Sequence, residues 1–122
     1  MSKIEYIINC LDGTYTFAAE FNKIVLYGVE TNIESLSSFV GELSEENSKK
    51  FIEEINNAQI EKWDREYKAE QSEIEDGITW KVIYTKDDKE YVSSGKESYV
   101  PYNHQHLINA ILLCDKENDY LF

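Results

Sequence analysis

Two runs of alternating side chains near the start of the chain constrain the fold more than any other feature. Residues 3–10 place four apolar side chains on one face of a strand, namely Ile4, Tyr6, Ile8 and Cys10. Residues 14–21 repeat this period, and Asp12-Gly13 between the runs is a strong signal for a tight turn. The chain therefore begins with a predicted β-hairpin, and further strands are predicted at about 23–29 and, more weakly, about 33–40.

The period becomes helical after Ser44, which is a good N-cap followed by two glutamates that favour a helix start. Apolar side chains follow at helical spacing, namely Phe51, Ile52, Ile55 and Ala58. Two continuations remain open. One helix runs on through about residue 74 with a stripe of Ile60, Trp63, Tyr67 and Ile74, or the chain breaks near Asn56-Asn57.

Strand character returns after Asp76-Gly77, with a strand over about 78–84, a turn at Asp87-Asp88 and a return strand. A loop over 95–101 then leads to Asn103, the predicted cap of a last helix. The predicted fold is a single α+β domain over 1–122. It has an antiparallel meander sheet of about four to six strands with two main helices packed on it, in the order ββββ-α-ββ-α.

The charge balance is the most informative global number. The chain has 24 acids against 12 bases, a net charge of −12. Such a field repels nucleic acid and anionic membranes and attracts basic proteins, so we expect a basic protein partner and no direct nucleic acid or membrane binding. The first residues have no apolar signal core, which predicts a cytoplasmic location.

Acids are concentrated in residues 42–76, which hold 12 of them against five bases. The predicted partner-binding acids are Glu61, Asp64, Glu66, Glu70, Glu73, Glu75 and Asp76. If residues 60–74 are helical, Glu66, Glu70 and Glu73 share one face and can imitate a row of phosphates. The alternative is a solvated helix face with pairs such as Lys62 and Glu66.

Aromatic and nucleophilic side chains complete the candidates. Trp63 and Trp80 are predicted to join helix and sheet in the core, whereas Tyr99 and Tyr102 beside Pro101 are predicted partner contacts. His104 and His106 are predicted to lie at an exposed helix start, and their i, i+2 spacing is poor for a metal. Cys114 is predicted to be a core cysteine, although a pair with His104 is the enzymatic alternative. No catalytic, cofactor-binding or metal-binding residue is predicted.

Several of these residues carry a resemblance. Ile60-Glu61-Lys62-Trp63, Asp76-Gly77-Ile78-Thr79-Trp80 and the later Gly95 and Tyr99-Val100-Pro101 resemble a family of small uncharacterised proteins of low-GC Gram-positive bacteria and their mobile elements. The resemblance implies a strand meander followed by helix, hairpin and helix, and implies no activity.

These observations favour a non-enzymatic inhibitor whose acidic face docks on a basic, nucleic-acid-handling protein. The classes that fit are anti-CRISPR or other anti-defence proteins and immunity proteins against nuclease toxins. Two other hypotheses remain: a housekeeping interaction module that dimerises through an exposed strand, and a small enzyme of unrecognised chemistry.

Overall fold

The computed structural model describes residues 2–10, 13–31, 43–67, 78–96 and 99–114. Its elements are the strands β1 (Ser2–Cys10), β2 (Gly13–Phe21) and β3 (Leu26–Thr31), helix α1 (Glu45–Ala58), a 3₁₀ turn (Ile60–Lys62), strands β4 (Glu66–Tyr67), β5 (Thr79–Lys86) and β6 (Lys89–Lys96), and helix α2 (His104–Leu113). The predicted α+β class is confirmed. The fourth strand predicted at about 33–40 lies outside the described residues.

The strands form one sheet in the order β3-β2-β1-β5-β6-β4. Every neighbouring pair is antiparallel except β4 and β6, which are parallel. At the centre of the sheet, Tyr6 of β1 lies opposite Phe17 of β2 and Val82 of β5. The two hairpins therefore lie side by side, and the short strand β4 was not predicted from the sequence.

Both helices pack on the same face of the sheet. Phe51 of α1 makes an edge-on contact with Phe21 of β2, with ring centroids 5.5 Å apart. The ring of His104 at the start of α2 lies 5.7 Å from that of Tyr6 and 5.5 Å from that of Trp80. Strand alternation and register place these sheet side chains on one face, as the alternating pattern of the sequence predicts.

Local polar contacts decide where elements begin and end. The Asn22 side-chain oxygen accepts hydrogen bonds from the backbone N–H groups of Ile24 and Val25, each at 2.7 Å. Because this Asx turn occupies residues 22–25, β3 begins at Leu26, later than the predicted residue 23. The turn predicted at Asp87-Asp88 is confirmed, and both residues have positive φ angles of 55° and 67°.

Helix α1 begins as predicted and ends at the earlier of the two predicted positions. The Ser44 hydroxyl accepts a hydrogen bond from the Asn47 backbone N–H at 3.2 Å. Gln59, directly after the last helical residue, is left-handed, with φ 53° and ψ 48°. A helix continuing through residue 67 is therefore wrong, because the chain reverses at Gln59 and then pairs Glu66 and Tyr67 with β6.

Candidate partner-binding surface

The negative charge is distributed unevenly between the described and the remaining residues. The described residues contain 13 of the 24 acids and 10 of the 12 bases, a net charge of −3, so −9 of the total −12 belongs to the other segments. The described residues together are therefore close to neutral. The acidity on which the predicted mechanism depends lies mainly in the segments that join its elements.

The predicted acidic row is only partly described. Glu61 and Asp64 lie between α1 and β4, and Glu66 begins β4. All three are exposed, and Glu61 forms an ion pair with Lys86 at 3.7 Å. Glu70, Glu73, Glu75 and Asp76 lie outside the described residues. Glu66 belongs to a strand. It therefore cannot share with Glu70 and Glu73 the helical face that the sequence predicts.

Hydrogen bonds hold residues 63–67, which include Asp64 and Glu66, against the rest of the fold. The Trp63 indole N–H donates to the Ala58 carbonyl at 2.7 Å, and the Asp64 backbone N–H donates to the Tyr67 hydroxyl at 2.9 Å. From β6, the Ser93 hydroxyl donates to the Asp64 carbonyl at 2.6 Å. These bonds hold residues 63–67 against both α1 and the sheet.

Trp80 holds the neighbouring loop in the same way. Its indole N–H is shared between the carbonyl oxygens of Lys96 and Tyr99, at 3.1 and 3.2 Å. Its ring meets that of Trp63 edge-on, with centroids 6.2 Å apart. Trp80 is buried and Trp63 is packed against the core, so the prediction that both tryptophans join helix and sheet is confirmed.

Gly95 allows these backbones to approach one another. A Cβ atom at this position would lie 2.5 Å from the Tyr67 carbonyl oxygen and 2.8 Å from that of Tyr99. Only a residue without a side chain fits between β4 and the loop. The missing side chain at Gly95 therefore brings strand β4 and the backbone of Tyr99 together.

We call the surface formed by residues 59–67 and 99–104 the aromatic edge. Tyr102 is 97% exposed, Tyr99 45% and Val100 39%, whereas Pro101 between them is buried. The Pro101 carbonyl accepts a hydrogen bond from the His104 backbone N–H at 3.1 Å, and the Asn103 side chain donates to that of Gln59 at 3.4 Å. Tyr99 and Tyr102 are thus exposed, their backbone is held from both sides, and their role as partner contacts stays a prediction.

The described residues on either side of the segment 68–77 lie close to the aromatic edge. They are Tyr67, which pairs with Gly95, and Ile78, which precedes Thr79, the partner of Lys96. Both therefore lie at the end of β6 from which the chain continues toward Tyr99. Four of the predicted partner-binding acids belong to the segment 68–77, which we call the acidic segment.

His104 is more buried than its position at a helix start predicts. A 2.8 Å hydrogen bond joins its Nε2 to the Tyr6 hydroxyl, and the Trp63 ring lies 6.0 Å away. Burial lowers the pKa of His104 to about 4, so its ring is neutral at pH 7. The predicted exposed position is therefore wrong for His104, whereas His106 remains partly exposed and contacts Glu54 at 2.7 Å.

Cys114 is a core residue, as predicted. Its thiol is fully buried and lies 3.9 Å from the Ala110 carbonyl. Burial raises the pKa of this thiol to about 12, which leaves almost no thiolate at pH 7. His104 stands ten residues earlier, about 15 Å along the helix axis, so the two side chains do not form a catalytic pair. Among the described residues, no group of three His, Cys, Asp or Glu side chains is arranged to hold a metal ion.

Comparisons with known proteins give no further identification. No family model matches the chain, and no curated protein matches it either. The resemblance to the small Gram-positive family therefore stays a prediction. In the part of the chain that the structure describes, no helix has the length and apolar character needed to span a membrane.

Proposed function

We propose that this protein is a non-enzymatic binding protein that inhibits a basic, nucleic-acid-handling protein in the cytoplasm. The observation that supports the proposal is that Tyr67 and Ile78, the described residues on either side of the acidic segment 68–77, lie at the same end of β6 as the Tyr99 carbonyl. Tyr99 and Tyr102 are exposed in the part of the chain that follows this end of β6. Aromatic anchors surrounded by charge are a common composition for a protein interface.

The net charge supports a basic partner rather than a neutral one. A charge of −12 attracts a basic protein over several ångströms and raises the rate of encounter, an effect that salt screens. Nucleases and other nucleic-acid-handling proteins carry the basic grooves that such a field recognises. The inhibitor would occupy that groove and exclude the nucleic acid, as anti-CRISPR proteins and immunity proteins against nuclease toxins do.

Binding to purified RNA-guided nucleases and nuclease-toxin domains tests this proposal. We expect tight binding to one of them that weakens between about 0.05 M and about 0.5 M salt, where the screening length falls several-fold. Replacing Glu66, Glu70 and Glu73 together by Lys should abolish this binding. A matched control replaces three exposed acids elsewhere by Lys, namely Glu20, Glu53 and Glu90.

The matched control separates a local contact from the overall field because both triple variants change the net charge equally. A larger loss in the Glu66, Glu70 and Glu73 variant supports the proposed surface. Equal losses, or no binding of the wild type to any member of the nuclease panel, would contradict the proposed function.

A further inference from the structure

Tyr102 combines nearly complete exposure with a fixed backbone. Its neighbour Pro101 is buried and has a fixed φ, and the next residues open helix α2. The indole of Trp80 holds the other end of the loop through the Tyr99 carbonyl. These contacts hold residues 99–103 in place before any partner binds. A partner that contacts Tyr102 therefore does not lose binding free energy to the ordering of these residues.

The aromatic edge itself is nearly neutral. Residues 59–67 contain three acids, Glu61, Asp64 and Glu66, and two bases, Lys62 and Arg65. Glu61 is already paired with Lys86, which lies outside this segment. The local charge of the aromatic edge thus gives little preference for one charged partner side chain over another. The exposed tyrosine rings are the groups that can select among basic side chains.

Arginine is the basic side chain that best suits an exposed ring. The face of an aromatic ring attracts cations, and the planar, weakly hydrated guanidinium group stacks on it more readily than an ammonium group does. Arginine side chains of nucleic-acid-binding proteins stack on nucleobases in the same way. An exposed tyrosine on an acidic protein can therefore take the place of a nucleobase against such an arginine side chain.

We propose that the aromatic edge binds arginine side chains of its partner, with Tyr99 and Tyr102 taking the positions of stacked nucleobases. This inference rests on the proposed function and names the partner chemistry of the same surface. Carboxylates of the acidic protein steer the partner from a distance, and the two tyrosine rings select arginine over lysine at contact.

Two synthetic peptides test the inference, one of eight arginines and one of eight lysines, by titration calorimetry with the full chain. At an exposed site, a cation over an aromatic ring gains about two- to fivefold in affinity. Because arginine stacks on a ring more readily than lysine does, we expect the arginine peptide to bind about two- to fivefold more tightly than the lysine peptide. The double variant Tyr99→Ala, Tyr102→Ala should bind both peptides equally, with the larger loss of affinity for the arginine peptide.

Conservative variants separate stacking from apolar contact. Tyr102→Phe keeps the ring and should keep the preference, whereas Tyr102→Leu keeps apolar area and should weaken it. Tyr27→Leu is the matched control, because Tyr27 is 53% exposed on β3, at the opposite edge of the sheet. It should leave the preference unchanged.

The result also distinguishes this inference from the proposed function. Equal affinity for the two peptides, or a preference that survives the double tyrosine variant, overturns the inference even if a nuclease binds. A tyrosine-dependent preference for arginine without binding to any nuclease supports the inference and contradicts the proposed nuclease partner.

Discussion

The two edges of the sheet both expose tyrosine, but they support it differently. At the β3 edge, the hydroxyl of Tyr27 accepts a hydrogen bond from the Asn22 side chain on the surface, at 2.6 Å. At the aromatic edge, the loop carrying Tyr99 and Tyr102 is held by the buried Trp80 and packed against Gly95. Exposure alone does not mark a binding residue, whereas a tyrosine on a backbone that is already held in place can bind with a smaller loss of conformational entropy.

Replacing a glycine at each edge should give the largest contrast. In Gly95→Ala the new Cβ would meet two backbone carbonyl oxygens at 2.5 and 2.8 Å, so β4 and the loop must separate. We expect a loss of about 3 kcal/mol in the free energy of unfolding. Urea denaturation followed by tryptophan fluorescence measures this loss.

The matched variant is Gly28→Ala on β3, where a Cβ has no atom within 4 Å. Its unfolding free energy should stay within about 0.5 kcal/mol of the wild-type value. Similar losses of unfolding free energy in the two variants would show that the close packing around Gly95 does not stabilise the aromatic edge.

Removing one hydrogen-bonding group at each edge, a donor at Trp80 and an acceptor at Tyr27, should give a smaller contrast. Trp80→Phe removes the indole N–H that serves the carbonyls of Lys96 and Tyr99. We expect a loss of about 2 kcal/mol and faster amide hydrogen exchange at residues 99–102, because the loop loses its buried attachment. Exchange measured by mass spectrometry or NMR reports both effects.

Tyr27→Phe is the control for this pair, since it removes only the hydroxyl that contacts Asn22 on the surface. We expect its stability to change by less than about 0.5 kcal/mol. Unchanged exchange at residues 99–102 in Trp80→Phe would mean that the loop does not depend on the indole.

Acid should weaken the molecule through the aromatic edge, with the smallest of the three effects. The folded pKa of His104 is lowered to about 4 from its ordinary 6.5, so its stabilising contribution is complete above pH 6.5 and is lost as the pH falls toward 4. Between pH 7.5 and pH 5 we expect a loss of about 1 to 2 kcal/mol, after allowance for partial solvent exposure.

Urea denaturation at both pH values, for wild type and His104→Gln, isolates this effect from the titration of the carboxylates. The variant should lose less stability than the wild type over the same range. An identical pH dependence in wild type and His104→Gln would show that His104 is not the titrating group.

The sequence predicted the elements whose causes are local. Alternation in residues 3–21 predicted the first hairpin, the Ser44 cap predicted the start of α1, and Asp87-Asp88 predicted the second turn. Each of these features depends on side chains within a few residues of one another, and such patterns can be read from the chain alone.

Only the tertiary structure decided how these elements form a surface. Glu66 lies on a strand because β6, almost thirty residues later, offers it a pairing edge, and no local pattern announces a two-residue parallel strand. His104 is partly buried against Tyr6, which lies almost a hundred residues earlier and supplies a hydrogen-bond partner. Gly95 in a strand signals a close backbone approach, but its neighbours Tyr67 and Tyr99 are known only from the fold. Contacts between distant residues depend on how the sheet and helices pack, and a periodic sequence pattern does not contain that information.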